Sequence, residues 1–243
     1  MKSVPMTMLP QPPPDAPAPP PSDAAILSQK KWKWLWVAGV VSIIMIALAG
    51  LTAPLVARKR TNCGQTEEVS NARQIGLVLY EFESQYGTYP DAATATRIRN
   101  ETKTTLNLGT TSSNDFFRQL LAANFTQSEK IFYAKGSGIH KPDDVIAGAK
   151  ALEKGECSFT YFLGASKLDY PSRPLAAAPM IPGTDRFDPK PFEGKAILLM
   201  KDNSVISLRI DKMGHVTDGD GNLMDPHHPI WGGHVPTIVW PEL

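Results

Sequence analysis

The 23 residues from Leu35 to Ala57 (LWVAGVVSIIMIALAGLTAPLVA) carry no charge, and basic residues close the run at both ends. As one helix rising ~1.5 Å per residue, the run would reach ~34 Å, enough to cross a hydrocarbon core of ~30 Å. Lys30, Lys31 and Lys33 precede it and Arg58, Lys59 and Arg60 follow it. Trp32, Trp34 and Trp36 stand where indole rings favour the headgroup layer. The run therefore predicts a single membrane-spanning helix, with the lipid bilayer as its first partner. A cleaved signal peptide fits less well, because the basic region lies far from Met1 and the apolar core is too long. Three basic residues on each side leave the orientation open.

Composition then divides the chain into residues 1–29, 30–60 and 61–243. Nine prolines fall within the first 22 residues. Proline lacks a backbone donor and favours extended polyproline conformation, so residues 1–29 are expected to be a disordered tail, either a spacer or a ligand for a proline-binding domain. Residues 61–243 are long enough for one domain with a real core. The formal charge of +1 gives no reason to expect nucleic acid as a partner.

The first element after the anchor is amphipathic. Ala72, Ile75, Leu79, Phe82 and Tyr86 recur at helical spacing, and Gly87 followed by Pro90 should stop the helix near Tyr86. A second helix is predicted from Asp115 to about Ala123 behind a Ser113 or Asn114 cap, and a short one from Asp143 to Lys154. Cys157 to Leu163 reads as a strand. Lys195 to Met200 and Ser204 to Ile210 read as a hairpin around Asp202-Asn203. The proline-rich stretch between Pro171 and Pro191 reads as an irregular surface loop, and the aromatic ending after Pro229 as a terminal strand. The class is α+β, with an amphipathic helix laid over a small antiparallel sheet.

The segment Asn71 to Asp91 (NARQIGLVLYEFESQYGTYPD), with its Gly-x-Tyr-Pro exit, resembles the end of the helix in type II secretion pseudopilins and type IV pilin-like proteins. The downstream GKAILLMKDNSVISLRIDKMGHV is similar to the strand region of such proteins. The chain departs from that family in lacking the prepilin cleavage motif and the glutamate that opens the apolar helix. The resemblance implies a non-catalytic structural or interaction protein of a secretion or pilus-type envelope assembly, with pilin-like or secretion-system proteins as partners. It also implies a single-pass inner-membrane placement, N-terminus cytoplasmic and C-terminal domain periplasmic. On that side Cys63 and Cys157 either pair as a disulfide or remain two free thiols.

The densest chemistry lies between His215 and His228. Asp218, Asp220 and Asn222 place oxygen donors at alternating positions, as in the start of a calcium loop, so calcium is the one cofactor the sequence raises. An EF-hand would need glycine at 223 and glutamate at 229, where this chain has Leu223 and Pro229, and the bland alternative is a glycine-rich turn with solvated aspartates. The rival functional class is a membrane-tethered periplasmic binding module or a metal-dependent hydrolase using this loop, with His215, His227 and His228 holding zinc together with Asp218 or Asp220. No nucleophile elbow, Walker loop or dinucleotide fingerprint is present.

Overall fold

The computed structural model describes Trp36, residues 39–46 and residues 66–243. The chain divides into two units at the Val56–Ala57 boundary, and each is treated separately.

In the first unit, residues 39–46 are helical. Among the described residues no helix is long and apolar enough to cross a membrane. The expected transmembrane helix, and with it the single-pass inner-membrane placement, is corrected accordingly. Hydropathy reports how apolar a segment is, whereas a span also requires one helix of roughly 20 residues. The proline-rich tail, both basic flanks and Cys63 lie outside the described residues.

The second unit is a mixed α+β fold. Helix α1 (66–86) buries Ala72, Ile75, Leu79 and Phe82 completely, as their spacing predicts. It ends where glycine permits: Gly87 adopts φ 81° and donates its N–H to the Glu83 carbonyl at 2.8 Å. Helix α2 (Ala92–Thr102) follows after five residues and was not expected, because AATATRIRNET has threonine where an apolar stripe would continue. Local capping specifies it instead. The Asp91 carboxylate accepts from Thr94 N at 2.7 Å while the Thr94 hydroxyl accepts from Asp91 N at 2.8 Å. Arg97 of α2 lies over the Tyr86 ring, 4.7 Å from its centroid, tying α2 to the end of α1.

Helix α3 (Ser113–Ala122) starts two residues before the predicted position, because Ser112 supplies the cap and reciprocates with Asp115. The helix expected over Asp143 to Lys154 is absent. Only a 3₁₀ turn at Gly148–Lys150 forms there, and Asp144, Gly148 and Leu152, at φ 60°, 55° and 49°, hold left-handed conformations that interrupt any helix.

Five antiparallel strands make the main sheet: β1 (Thr160–Leu163), β2 (Pro174–Ala178), β3 (Lys195–Met200), β4 (Val205–Arg209) and β7 (Thr237–Val239), in the order β4-β3-β2-β1-β7. The β3–β4 hairpin matches its prediction, pairing Lys195 with Arg209 and Leu199 with Val205. The loop expected between Pro171 and Pro191 is corrected in part, since its PLAAA segment is β2, the buried central strand. Alanine has little intrinsic strand preference, so burial between β1 and β3 decides its conformation. Pro174 sits at the first position of the strand, where a missing N–H does the least harm. Two further short strands, β5 (Thr217–Asp218) and β6 (Gly221–Asn222), form a separate hairpin.

Both faces of the main sheet are covered. Tyr161, Ala176, Ile197 and Leu199 pack toward the three helices, with Phe117, Phe132 and Leu79 in the same cluster. Phe162, Ala177, Leu198 and Met200 point the other way, onto Phe187, Leu223 and Trp231. The approach of α1 to the sheet is set at Gly76. A Cβ at that position would stand 2.0 Å from Asn203 Oδ1 and 2.8 Å from Leu199 Cδ1, so a larger residue there would require those side-chain ends to shift.

Candidate functional site

The β5–β6 hairpin brings the predicted acidic residues together in part. Ligand atoms of Asp218, Asp220 and His228 lie within 4.8 Å of one another. The Asn222 side-chain oxygen accepts from Met224 N at 3.2 Å. His228 takes the third place. It caps the 3₁₀ turn Pro229–Trp231 and is buried by it, and no aspartate, serine or threonine marks that cap in the sequence. Its contact with Asp218 depends on a chain reversal that residue spacing does not reveal. His215 and His227 stand apart from the group: the His215 backbone N–H donates to Asp211 Oδ1 at 2.9 Å, and the exposed His227 pairs with Asp225 at 3.2 Å.

Hydrogen bonding fixes the state of His228. Its Nδ1 accepts from Ile230 N at 3.2 Å, so the ring proton sits on Nε2, which donates to Asp218 Oδ1 at 3.0 Å. Neither nitrogen has a lone pair left for zinc. Asp218 is itself engaged. Burial pushes its carboxyl up, but donation from Asp220 N and from His228 outweighs burial and holds it below the usual carboxylate range. A calcium ion here would find two carboxylates and would need further oxygens to reach the six to eight that calcium takes. The hairpin is thus arranged as a hydrogen-bonded turn that seats His228.

Trp231 belongs to the core. It is 1% exposed, meets Phe162 edge-on at 5.2 Å, and donates its indole N–H to the Leu223 carbonyl at 2.8 Å. β7 completes the sheet beside β1, as the aromatic ending predicts.

Cys157 is a free, fully buried thiol, while Cys63 lies outside the described residues. The Cys157 sulfur contacts Ser113 Oγ at 3.6 Å, and burial pushes the thiol pKa up to about 12. Since the thiolate is the reactive form, Cys157 in a Cys63→Ser full chain should alkylate at least about 100-fold more slowly at pH 8 than the same chain in denaturant. Iodoacetamide labelling followed by mass spectrometry measures this, and equal rates would contradict the enclosure described.

Elsewhere an apolar cleft of about 500 Å³ opens beside Ile139, Met180, Ile181 and Leu243, and neither histidine nor cysteine lines it. Ser158 borders it, but its hydroxyl is engaged with the Ala134 backbone, accepting from N at 2.6 Å and donating to O at 2.5 Å.

The remaining notable surface is the outer side of α1. Ser70, Arg73, Leu77, Tyr80 and Ser84 recur at spacings of three and four and are all exposed. Leu77 is 54% and Tyr80 64% exposed, although the inner stripe of the same helix is fully buried.

No family model, curated protein or solved structure matches this chain.

Proposed function

We propose that the chain is a non-catalytic interaction subunit of the pseudopilin-like kind, which packs alongside pilin-like or secretion-system proteins through the outer face of α1. The observation that carries this reading is the exposed Leu77–Tyr80 pair, three residues apart on a helix whose opposite stripe is already used against the sheet. Side chains at that separation are neighbours and present one joint apolar patch. Folding of this domain leaves more than half of each exposed. Burying each against a partner helix would contribute on the order of 1.5–3 kcal/mol. Arg73 and Glu81 beside the patch supply the polar rim that an interface of this size uses.

The test is photocrosslinking from a reactive residue placed at the exposed Gln74 of the full chain, in the cells that make it. Adducts with pilin-like or secretion-system proteins are expected. The double variant Leu77→Asp, Tyr80→Asp should reduce those adducts at least tenfold while changing stability by no more than about 0.5 kcal/mol, as exposed substitutions do. Recovery of no such protein, or adducts that survive the double substitution unchanged, would overturn the proposal.

A further inference from the structure

A second acidic group lies away from the β5–β6 hairpin, on three separate segments. Glu129 opens a 3₁₀ turn (Glu129–Phe132), Asp143 sits in the following loop, and Glu156 leads into the strand β1. One carboxylate oxygen from each lies within 4.8 Å of the others. Glu129 is 0% and Glu156 2% exposed, whereas Asp143 faces solvent, so the group is enclosed on one side and open on the other.

Backbone donors aim these carboxylates. Glu129 Oε1 accepts from Leu152 N, Glu156 Oε1 from Asp143 N at 3.2 Å, Glu156 Oε2 from Glu153 N at 2.6 Å, and Asp143 Oδ1 from Val145 N at 2.8 Å. Such contacts hold ligand groups in place without neutralising them. The second oxygen of Glu129, Oε2, is buried and has no hydrogen-bond partner. Among the described residues no lysine, arginine or histidine forms an ion pair with Glu129, Asp143 or Glu156; the adjacent Lys130 is engaged by Asp144. A buried carboxylate oxygen beside two further carboxylates is costly unless positive charge joins it.

We propose that Glu129, Asp143 and Glu156 bind one divalent cation of the calcium type. Calcium takes oxygen ligands at 2.3–2.6 Å, so two of its ligands can lie up to about 5 Å apart, against about 4.2 Å around magnesium. The three ligand oxygens all lie within 4.8 Å of one another, a reach that a calcium ion can span. Three carboxylates supply three to six oxygens, and water on the Asp143 side completes the shell. This site is independent of the α1 surface and of the Asp218 hairpin. A proton offers the competing way to relieve the repulsion: burial, and after it the neighbouring Glu156, Asp143 and Asp144 charges, push the Glu129 carboxyl above its usual range despite the Leu152 hydrogen bond.

Calcium chloride titrated into the chelator-treated full chain, followed by calorimetry and thermal unfolding, separates these possibilities. One calcium per chain is expected at this site, with a rise in Tm that magnesium chloride does not reproduce. Glu129→Gln, which keeps an oxygen for the Leu152 N–H, and Glu156→Gln should each weaken binding at least about tenfold. Asp218→Asn with Asp220→Asn should leave it unchanged. Should Glu129→Gln fail to fold, the exposed Asp143→Asn carries the same comparison. An absence of calcium binding would overturn the site, as would binding lost with the Asp218 and Asp220 pair but kept in Glu129→Gln, or a Tm that rises on acidification and ignores calcium.

Discussion

Arg118→Met should lower the unfolding free energy by about 3–5 kcal/mol, the cost expected when one partner of a buried ion pair is removed. The side chains of Arg118 and Asp115 are 7% and 4% exposed and pair at 2.8 Å. The guanidinium also donates through Nε to the Ala151 carbonyl at 2.8 Å and through Nη2 to that of Leu152 at 2.9 Å. Methionine fills similar space but satisfies none of these acceptors. Asp115 would keep only its neutral donors, Thr111 N, Thr111 Oγ1 and Ser112 N. Urea denaturation measures the loss. Arg97→Met breaks the exposed Arg97–Glu101 pair, with side chains 51% and 46% exposed, and should cost less than about 1 kcal/mol. Equal effects of the two substitutions would refute the central place given to Arg118.

Phe117→Ala should be comparably severe, at about 3–5 kcal/mol. The Phe117 ring is fully buried, stacks on Phe132 with centroids 4.9 Å apart, and tilts against Tyr161 at 5.4 Å. It joins α3 to the 3₁₀ turn at Glu129–Phe132 and to β1 of the sheet. Alanine would leave a cavity walled by two rings that belong to different segments and cannot both move in to fill it. For a domain of this size the corresponding fall in Tm is roughly 6–20 °C. Thermal unfolding followed by circular dichroism reads it directly, and a fall of less than about 3 °C would show that the three rings are not the centre of the helical layer.

These two sites illustrate which parts of the fold are legible in residue order. The α1 stripe and the β3–β4 hairpin were legible because each is periodic and is stopped by a turn residue, Gly87 in one case and Asn203, at φ 65°, in the other. The capping box of α2 was present in the sequence as Asp91 and Thr94, but without an apolar stripe it did not stand out. β2 was hidden because PLAAA has no β-branched residue and lies among prolines; its two strand neighbours, not its composition, make it a strand. The segment 143–154 erred in the opposite direction, since its alanines and lysines favour helix while three left-handed residues forbid it. For the apolar run, absence of charge pointed to a span, whereas among the described residues no helix is long and apolar enough to be one.

The candidate sites divide in the same way. The meeting of Asp218 with Asp220 follows from their spacing around a glycine turn, whereas the part played by His228 depends on tertiary return. Glu129, Asp143 and Glu156 leave no local signature at all. Leu152 helps to bring that group about, because its N–H holds Glu129 while its carbonyl accepts from both Asn114 and Arg118 of α3.

Because Asn203 and Leu199 crowd Gly76, the two sides of α1 live under different evolutionary rules. Outward positions such as Ser70 and Ser84 face solvent, and substitutions there should cost folding little. Position 76 has less latitude: a larger residue there must displace the Asn203 and Leu199 side-chain ends that lie against it. New binding specificities on this scaffold are therefore open to the solvent side of the helix and closed to its hinge against the hairpin.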